Sequence, residues 1–162
     1  MIAQVGAKTV LDVGCGAGPL FEPLARRGIR VTGIDPAAAM VELAKKSAEP
    51  FGDLVTVVQE GWEQIDSVDA YDASVALGVY DYVDDPGDLM RRMGKASSYV
   101  IGSFPSPGAR TGLRKVRYGT HGVHVHGYTT KRLSDLASES GLRVEHLVPL
   151  GRAGHLALFG RA

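Results

Sequence analysis

Residues 9 to 35 read TVLDVGCGAGPLFEPLARRGIRVTGID, and four positions in the stretch are of types that act together on a ligand. Gly14, Gly16 and Gly18 alternate directly after an apolar run, where a strand must turn sharply and bring its backbone close to a ligand; a Cβ would obstruct that approach. Asp35 closes the next apolar run 21 positions after Gly14, placed to accept hydrogen bonds from two ribose hydroxyls. The implied ligand carries a ribose. The spacing is G-x-G-x-G, whereas dinucleotide sites use G-x-G-x-x-G with a helix start cradling a pyrophosphate, and Pro19 and Leu20 stand where that third glycine would fall. No Lys-Ser/Thr pair follows, which argues against a phosphate-binding P-loop. Cys15, the sole cysteine, lies inside the glycine run, where a small-residue role fits better than a catalytic one. A single cysteine excludes an internal disulfide and a cysteine-rich zinc site.

Two later stretches carry further candidates. In HGVHVHGY, His121, His124 and His126 precede Tyr128; in an extended segment His124 and His126 share one face, and histidine is the side chain best poised to take a proton near neutrality. The competing reading is an exposed, loop-borne cluster bonded to water. A metal site is disfavoured because no fixed carboxylate partner is evident. In GVYDYVDDP, Tyr80, Asp81 and Tyr82 follow an apolar run whose end is a ligand position in an open α/β sheet, although both tyrosines also suit half-buried packing. Asp84 and Asp85 before Pro86 have the form of a helix cap.

The elements that must hold these residues alternate. Apolar runs at 9–14, 30–35, 54–59, 71–79 and 98–104 predict strands buried on both faces, with helical spacing between them in GPLFEPLARRG, PAAAMVELAKKSAEP and PGDLMRRMGK. That alternation predicts a parallel sheet with helices on both sides. After the helix-like TTKRLSDLASESG, runs at 142–150 and 155–162 are joined by hairpin spacing, so the last strand is expected antiparallel. Between Pro105 and Tyr128 no period is visible, and this stretch is expected to be the substrate side.

The chain has 162 residues and a net charge of zero, the size and composition of one globular domain. No apolar run approaches the ~20 residues of a membrane span, and MIAQVGAKTVLDVG lacks the form of a secretory signal, so the cytoplasm is the expected compartment. The charge is unevenly placed: thirteen acids between Asp35 and Asp88 face only Lys45 and Lys46, whereas Leu89 to Ser134 holds nine Lys/Arg and no acid. An anionic partner, or a solvated face plus a loop, accounts for the basic part. Arg110, Arg114, Lys115 and Arg117 lack the aromatic interleaving of a nucleic-acid surface, so a small molecule with a carboxylate or phosphate fits better.

VLDVGCGAG, GIDPAAAM and YDASVALGVYDYV together resemble the successive motifs of class I S-adenosylmethionine-dependent methyltransferases, over nearly the whole chain. The resemblance implies a Rossmann-like, seven-stranded, mostly parallel α/β sheet in one domain: 1–104 for the cofactor, 105–128 as a substrate-side loop, 129–162 as a C-terminal helix and hairpin. It implies S-adenosyl-L-methionine as cofactor, S-adenosyl-L-homocysteine as product and a small-molecule acceptor, with a homo-oligomer left open. Asp12 would hold the cofactor's amino group, with Gly14, Cys15, Gly16 and Gly18 under its methionine part. Asp35 would take the ribose, with Pro36 and Ala37 beside the adenine, and Leu77 and Gly78 near the sulfonium. Where relatives often have GDA after the third strand this chain has QEGWEQI, so Glu60, Gly61 and Trp62 are the adenine candidates. His124, His126, Tyr80 and Asp81 are the catalytic candidates; Tyr82, Arg114, Arg117, Tyr118, His121 and Tyr128 are the substrate candidates. Asp/Asn-Pro-Pro-aromatic, common in methyltransferases of nucleic-acid bases, is replaced by LGVYDYV. About eight residues precede the first predicted strand, where relatives commonly carry helices that lid the site, so an open site or a lid from a partner is expected; the alternatives to a small-molecule enzyme are an incomplete or inactive cofactor-binding domain that needs a partner and, from the acid-free basic stretch, an RNA methyltransferase.

Overall fold

The computed structural model describes residues 1–107 and 126–162. β1 (Thr9–Val13), β2 (Arg30–Ile34), β3 (Val55–Val58), β4 (Tyr71–Ala76), β5 (Ser97–Pro105), β6 (Leu142–Pro149) and β7 (Gly154–Arg161) form one sheet in the order β3-β2-β1-β4-β5-β7-β6. The first five pair in parallel, and β7 runs antiparallel to both β5 and β6. A turn at Leu150, whose N–H is bonded to the Gly154 carbonyl at 2.8 Å, makes the last connection too short for a crossover. All the expected strands form; β4 alone ends well short of its apolar run, at Ala76, because Leu77 and Gly78 leave the sheet.

Among the described residues four α-helices cover the sheet: α1 (Phe21–Ala25), α2 (Ala38–Ala48), α3 (Pro86–Ala96) and α4 (Thr130–Glu139). α1 is shorter than its helical spacing predicts. Gly28, at φ +72°, ends it, with N–H groups of Gly28 and Ile29 turned back to the carbonyls of Ala25 and Leu24. The expected cap before α3 is present: Asp85 accepts the Asp88 N–H at 2.8 Å, with Pro86 in the first turn. Thr129 caps α4 through the Arg132 N–H at 3.1 Å.

On one face, Leu89, Met90 and Met93 of α3 and Leu133 and Leu136 of α4 pack on Val100, Phe104 and Phe159. On the other, Phe21, Leu24 and Ala44 pack on Val10, Val31, Ile101 and Leu158. β1 is registered at its start by Asp72, whose Oδ2 accepts the N–H groups of Lys8 (2.7 Å) and Thr9 (2.9 Å); these bonds hold the carboxyl below its usual range. β1 lies between β2 and β4, so successive connections leave it in opposite directions and the carboxyl ends of β1 and β4 border a crevice. Among the described residues no helix is long and apolar enough to cross a membrane.

Candidate active site

The glycine run leaves β1 as the sharp turn its spacing predicts. The Cys15 N–H donates to the Ile34 carbonyl at 3.0 Å and the Gly18 N–H to the Cys15 carbonyl at 2.9 Å. Gly14 and Gly18 have φ of +66° and +80°, and space is as restrictive as backbone angle: a Cβ on Gly14 would stand 2.6 Å from Val79 Cγ2, and one on Gly18 2.4 Å from the Phe21 ring. The loop is thus packed between the exit of β4 and the start of α1.

Two carboxylates sit under and beside this loop. Asp35 is 8% exposed, and its oxygens accept the N–H groups of Gly16 and Ala37, both at 2.9 Å. It ties the glycine loop to the approach of α2, and each oxygen keeps a lone pair for a ligand hydroxyl. Asp12 is 3% exposed, and its Oδ2 has no hydrogen-bond partner among the described residues. Burial first, and the Asp35 charge second, push its carboxyl up to about 7. Burial, with the charges of Asp12 and Asp35 behind it, pushes the Cys15 thiol up to about 12, which keeps it protonated and suits the small-residue role.

A cleft of about 480 Å³ opens at the crevice. Gly14, Asp35 and Pro36 come to it from β1 and β2, Glu60, Trp62 and Glu63 from the end of β3, and Leu77, Gly78 and Tyr82 from the end of β4, with Asp84 and Asp85 beyond them. Gly61 stands back from the cleft, its N–H given to Gln64 Oε1 at 2.7 Å. The Gly78 N–H is held by Ser103 Oγ at 2.7 Å, which fixes the backbone at the end of β4. Cys15, Gly16 and Gly18 border a second groove of about 870 Å³, and Leu77 lies on the rim of both. Sequence reasoning missed Glu63, Val79, Val83, Asp84 and Asp85 as lining residues. The signal was the acid surplus between Asp35 and Asp88: Asp35, Glu60, Glu63, Asp84 and Asp85 all line the cleft, and no Lys, Arg or His does so among the described residues.

The acceptor side departs further from expectation. Tyr80, expected at the methyl-transfer face, is fully buried under α3; its hydroxyl points to Met93 Sδ at 3.5 Å and its ring lies 4.3 Å from that of Phe104. Burial pushes its hydroxyl far above the usual range, so it is a core residue and not a proton acceptor. Tyr128, expected to meet substrate, is 3% exposed and donates its hydroxyl to the Tyr80 carbonyl at 2.9 Å. Burial, then the Asp81 charge, push its hydroxyl up to about 12. Asp81 is buried, and its carbonyl accepts the His126 N–H at 2.9 Å. The His126 Nε2 is buried and unbonded among the described residues. Tyr82 is 40% exposed at the cleft. Arg110, Arg114, Lys115, Arg117, Tyr118, His121 and His124 lie outside the described residues.

Known proteins resemble this chain in sequence and in fold. The chain is 39% identical over 87 residues to a ubiquinone biosynthesis O-methyltransferase of Azorhizobium caulinodans, covering 53% of this chain and 34% of that protein. To the protein of the same name in Serratia proteamaculans it is 31% identical over an alignment of 158 residues, covering 88% of this chain and 65% of the relative. The chain thus spans between a third and two thirds of the length of these curated relatives. Its fold superposes on magnesium protoporphyrin IX methyltransferase from Synechocystis PCC 6803, crystallised with bound SAH, with a TM-score of 0.81 at 21% identity over 99% of this chain and 78% of that one. The methyltransferase-domain family matches residues 3–147, and the chain belongs to that family.

Proposed function

We propose that the chain binds S-adenosylmethionine in the acid-lined cleft and directs methyl transfer to a small-molecule acceptor. The observation that carries this reading is the charge of the cleft. Five carboxylates and no cationic side chain among the described lining residues favour a ribose-bearing cation and repel the pyrophosphate of a dinucleotide. When bound, the cofactor supplies a methyl group on a sulfonium that already carries its leaving group, so alignment lowers much of the barrier.

In this reading Asp35 takes the ribose hydroxyls through its remaining lone pairs. Asp12 pairs its unpartnered Oδ2 with the cofactor's ammonium, and Pro36, Glu60 and Trp62 bound the adenine. The open backbone of Leu77 and Gly78, held by Ser103, leaves room beside the sulfonium. We assign proton acceptance to His126, whose buried Nε2 has no partner among the described residues, or to the neighbouring Asp81, and the acceptor's resting place to Tyr82 at the cleft. Relatives named O-methyltransferases favour an oxygen acceptor.

Calorimetric titration with S-adenosylmethionine, S-adenosylhomocysteine and NAD tests the reading. Micromolar binding of the first two, at least tenfold tighter for the charged cofactor at low salt and weakened in Asp35→Ala, is the expected result. Binding of NAD, or none of the three, would overturn it; turnover in a phenol acceptor panel then separates catalysis from binding alone.

A further inference from the structure

After β3 a carboxylate fills the place of a side chain that its neighbour lacks. Trp62–Gln64 form a single 3-10 turn closed by Gln64, whose Oε1 accepts the Gly61 N–H at 2.7 Å. The turn folds Glu63 back over Gly61. A Cβ on Gly61 would lie 2.6 Å from Glu63 Oε2, closer than two such atoms approach, and the three nearest atoms all belong to the side chains of Glu63 and Gln64. The backbone angles do not call for glycine: φ −81° and ψ 162° are extended values that any residue adopts. What glycine provides here is room for the Glu63 carboxylate.

The sheet order β3-β2-β1-β4 lays the cleft residues in a row: Glu60, Trp62 and Glu63 after β3, Asp35 after β2, Gly14 after β1, and Leu77 and Gly78 after β4. The ends of β2 and β3 are joined directly. The Asp35 N–H donates to the Val58 carbonyl at 3.3 Å, and Gln59 Nε2 donates to the Pro36 carbonyl at 3.4 Å. A nucleoside whose ribose rests on Asp35, and whose 5′ substituent runs toward the glycine turn and Leu77, therefore lays its base over residues 59–63, one strand spacing of about 5 Å further on. The Glu63 carboxylate lines the cleft at that end and has no hydrogen bond or ion pair among the described residues, which leaves both oxygens for a ligand. An ionised carboxylate only accepts hydrogen bonds, so the ligand group that suits it is a donor.

We propose that the Gly61–Glu63 pair selects the base of the cofactor: the Glu63 carboxylate accepts a hydrogen bond from the exocyclic amine of adenine and rejects a purine that carries a carbonyl oxygen there. The proposal rests on the cofactor reading above and adds the residue that reads the base. An amine offers a hydrogen to a Glu63 oxygen, whereas a carbonyl sets two acceptors face to face and leaves both unpaired. For one such contact at an exposed rim, the discrimination is about tenfold.

Calorimetry on the whole chain with S-adenosylhomocysteine and S-inosylhomocysteine, which present an amine and a carbonyl at the same ring atom, tests this. The unsubstituted chain is expected to bind the adenosyl compound at least tenfold tighter. Glu63→Gln, whose amide both donates and accepts, is expected to bring the two compounds within about threefold. Gly61→Ala is expected to narrow the ratio as far, by pushing the carboxylate away with one methyl group. Both variants should keep the parent's unfolding midpoint, since Glu63 is exposed and Gly61 half-buried. Equal binding of the two compounds by the unsubstituted chain would overturn the proposal. So would a tenfold ratio kept in Glu63→Gln or in Gly61→Ala, or one lost in Glu60→Gln and kept in Glu63→Gln. Failure of both compounds to bind the unsubstituted chain refutes the cofactor reading, and the proposal with it.

Discussion

The two sides of the crevice between β1 and β4 are built from different kinds of residue. On the β1–β2 side, backbone does most of the work: a glycine turn, two N–H groups gathered by Asp35, and a buried Asp12 beneath. On the β4–β5 side, aromatic rings dominate, and the chain chooses between core and cleft residue by residue. Tyr80 and Tyr128 turn inward, where both pack around Phe104, the second edge-on with ring centres 5.2 Å apart; Tyr82, two positions after Tyr80, stays at the cleft. The glycine turn and Asp35 therefore reach the cleft as their spacing predicts, whereas the tyrosines, whose ring and hydroxyl suit either environment, divide between core and cleft.

The sharpest way to break that comparison is Tyr80→Ala. Losing a fully buried ring should cost about 3–5 kcal/mol in denaturant unfolding, with S-adenosylhomocysteine binding retained in the folded fraction. Normal stability with turnover abolished would return Tyr80 to the methyl-transfer face. Next in size is the pH response of the other side. The folded carboxyl of Asp12 is raised to about 7 from an ordinary 3.8, so this group's contribution to stability is greatest at low pH and declines as pH rises from about 4 through about 7. A ligand ammonium needs the ionised form, so S-adenosylhomocysteine affinity should move the opposite way, weakening up to about tenfold per pH unit below about 7. Calorimetry between pH 5 and pH 8 checks this, and Asp12→Asn should flatten the profile.

Tyr128→Phe removes one buried hydrogen bond, to the Tyr80 carbonyl, and should cost about 1 kcal/mol in thermal or denaturant unfolding without altering an acceptor's KM. A raised KM at unchanged stability would restore its substrate role. The smallest effect on stability belongs to Tyr82→Ala, expected within about 0.5 kcal/mol of the parent, with its consequence visible in acceptor KM instead.

Much of the fold was legible because buried parallel strands and amphipathic helices leave unmistakable patterns: the apolar runs predicted all seven strands, and hairpin spacing predicted the reversed one. α1 was read too long because helical spacing continues through Arg26 and Arg27, although the left-handed Gly28 has already turned the chain back. In the site, Gly14 could be located because a positive φ restricts residue type, and Asp35 because an acid that closes the second strand stands at the crevice of a parallel sheet. The lining acids Glu63, Asp84 and Asp85 carried no such mark. Asp85 was read only as a cap, and it both caps α3 and borders the cleft.

The sequence by itself determined the order of strands and helices, the turn after β1 and the chemistry of the acid that closes β2, because each follows from local sterics or from periodicity along one segment. Only the tertiary structure decided which of three neighbouring aromatic and acidic residues after β4 line the cleft, that the acidic middle of the chain converges on that cleft, and that Met1, Leu24, Val75, Ile101 and Leu156 line one apolar groove. Those outcomes depend on how strands far apart in sequence are laid side by side, and on competition between core packing and solvent at each position, which no single segment encodes.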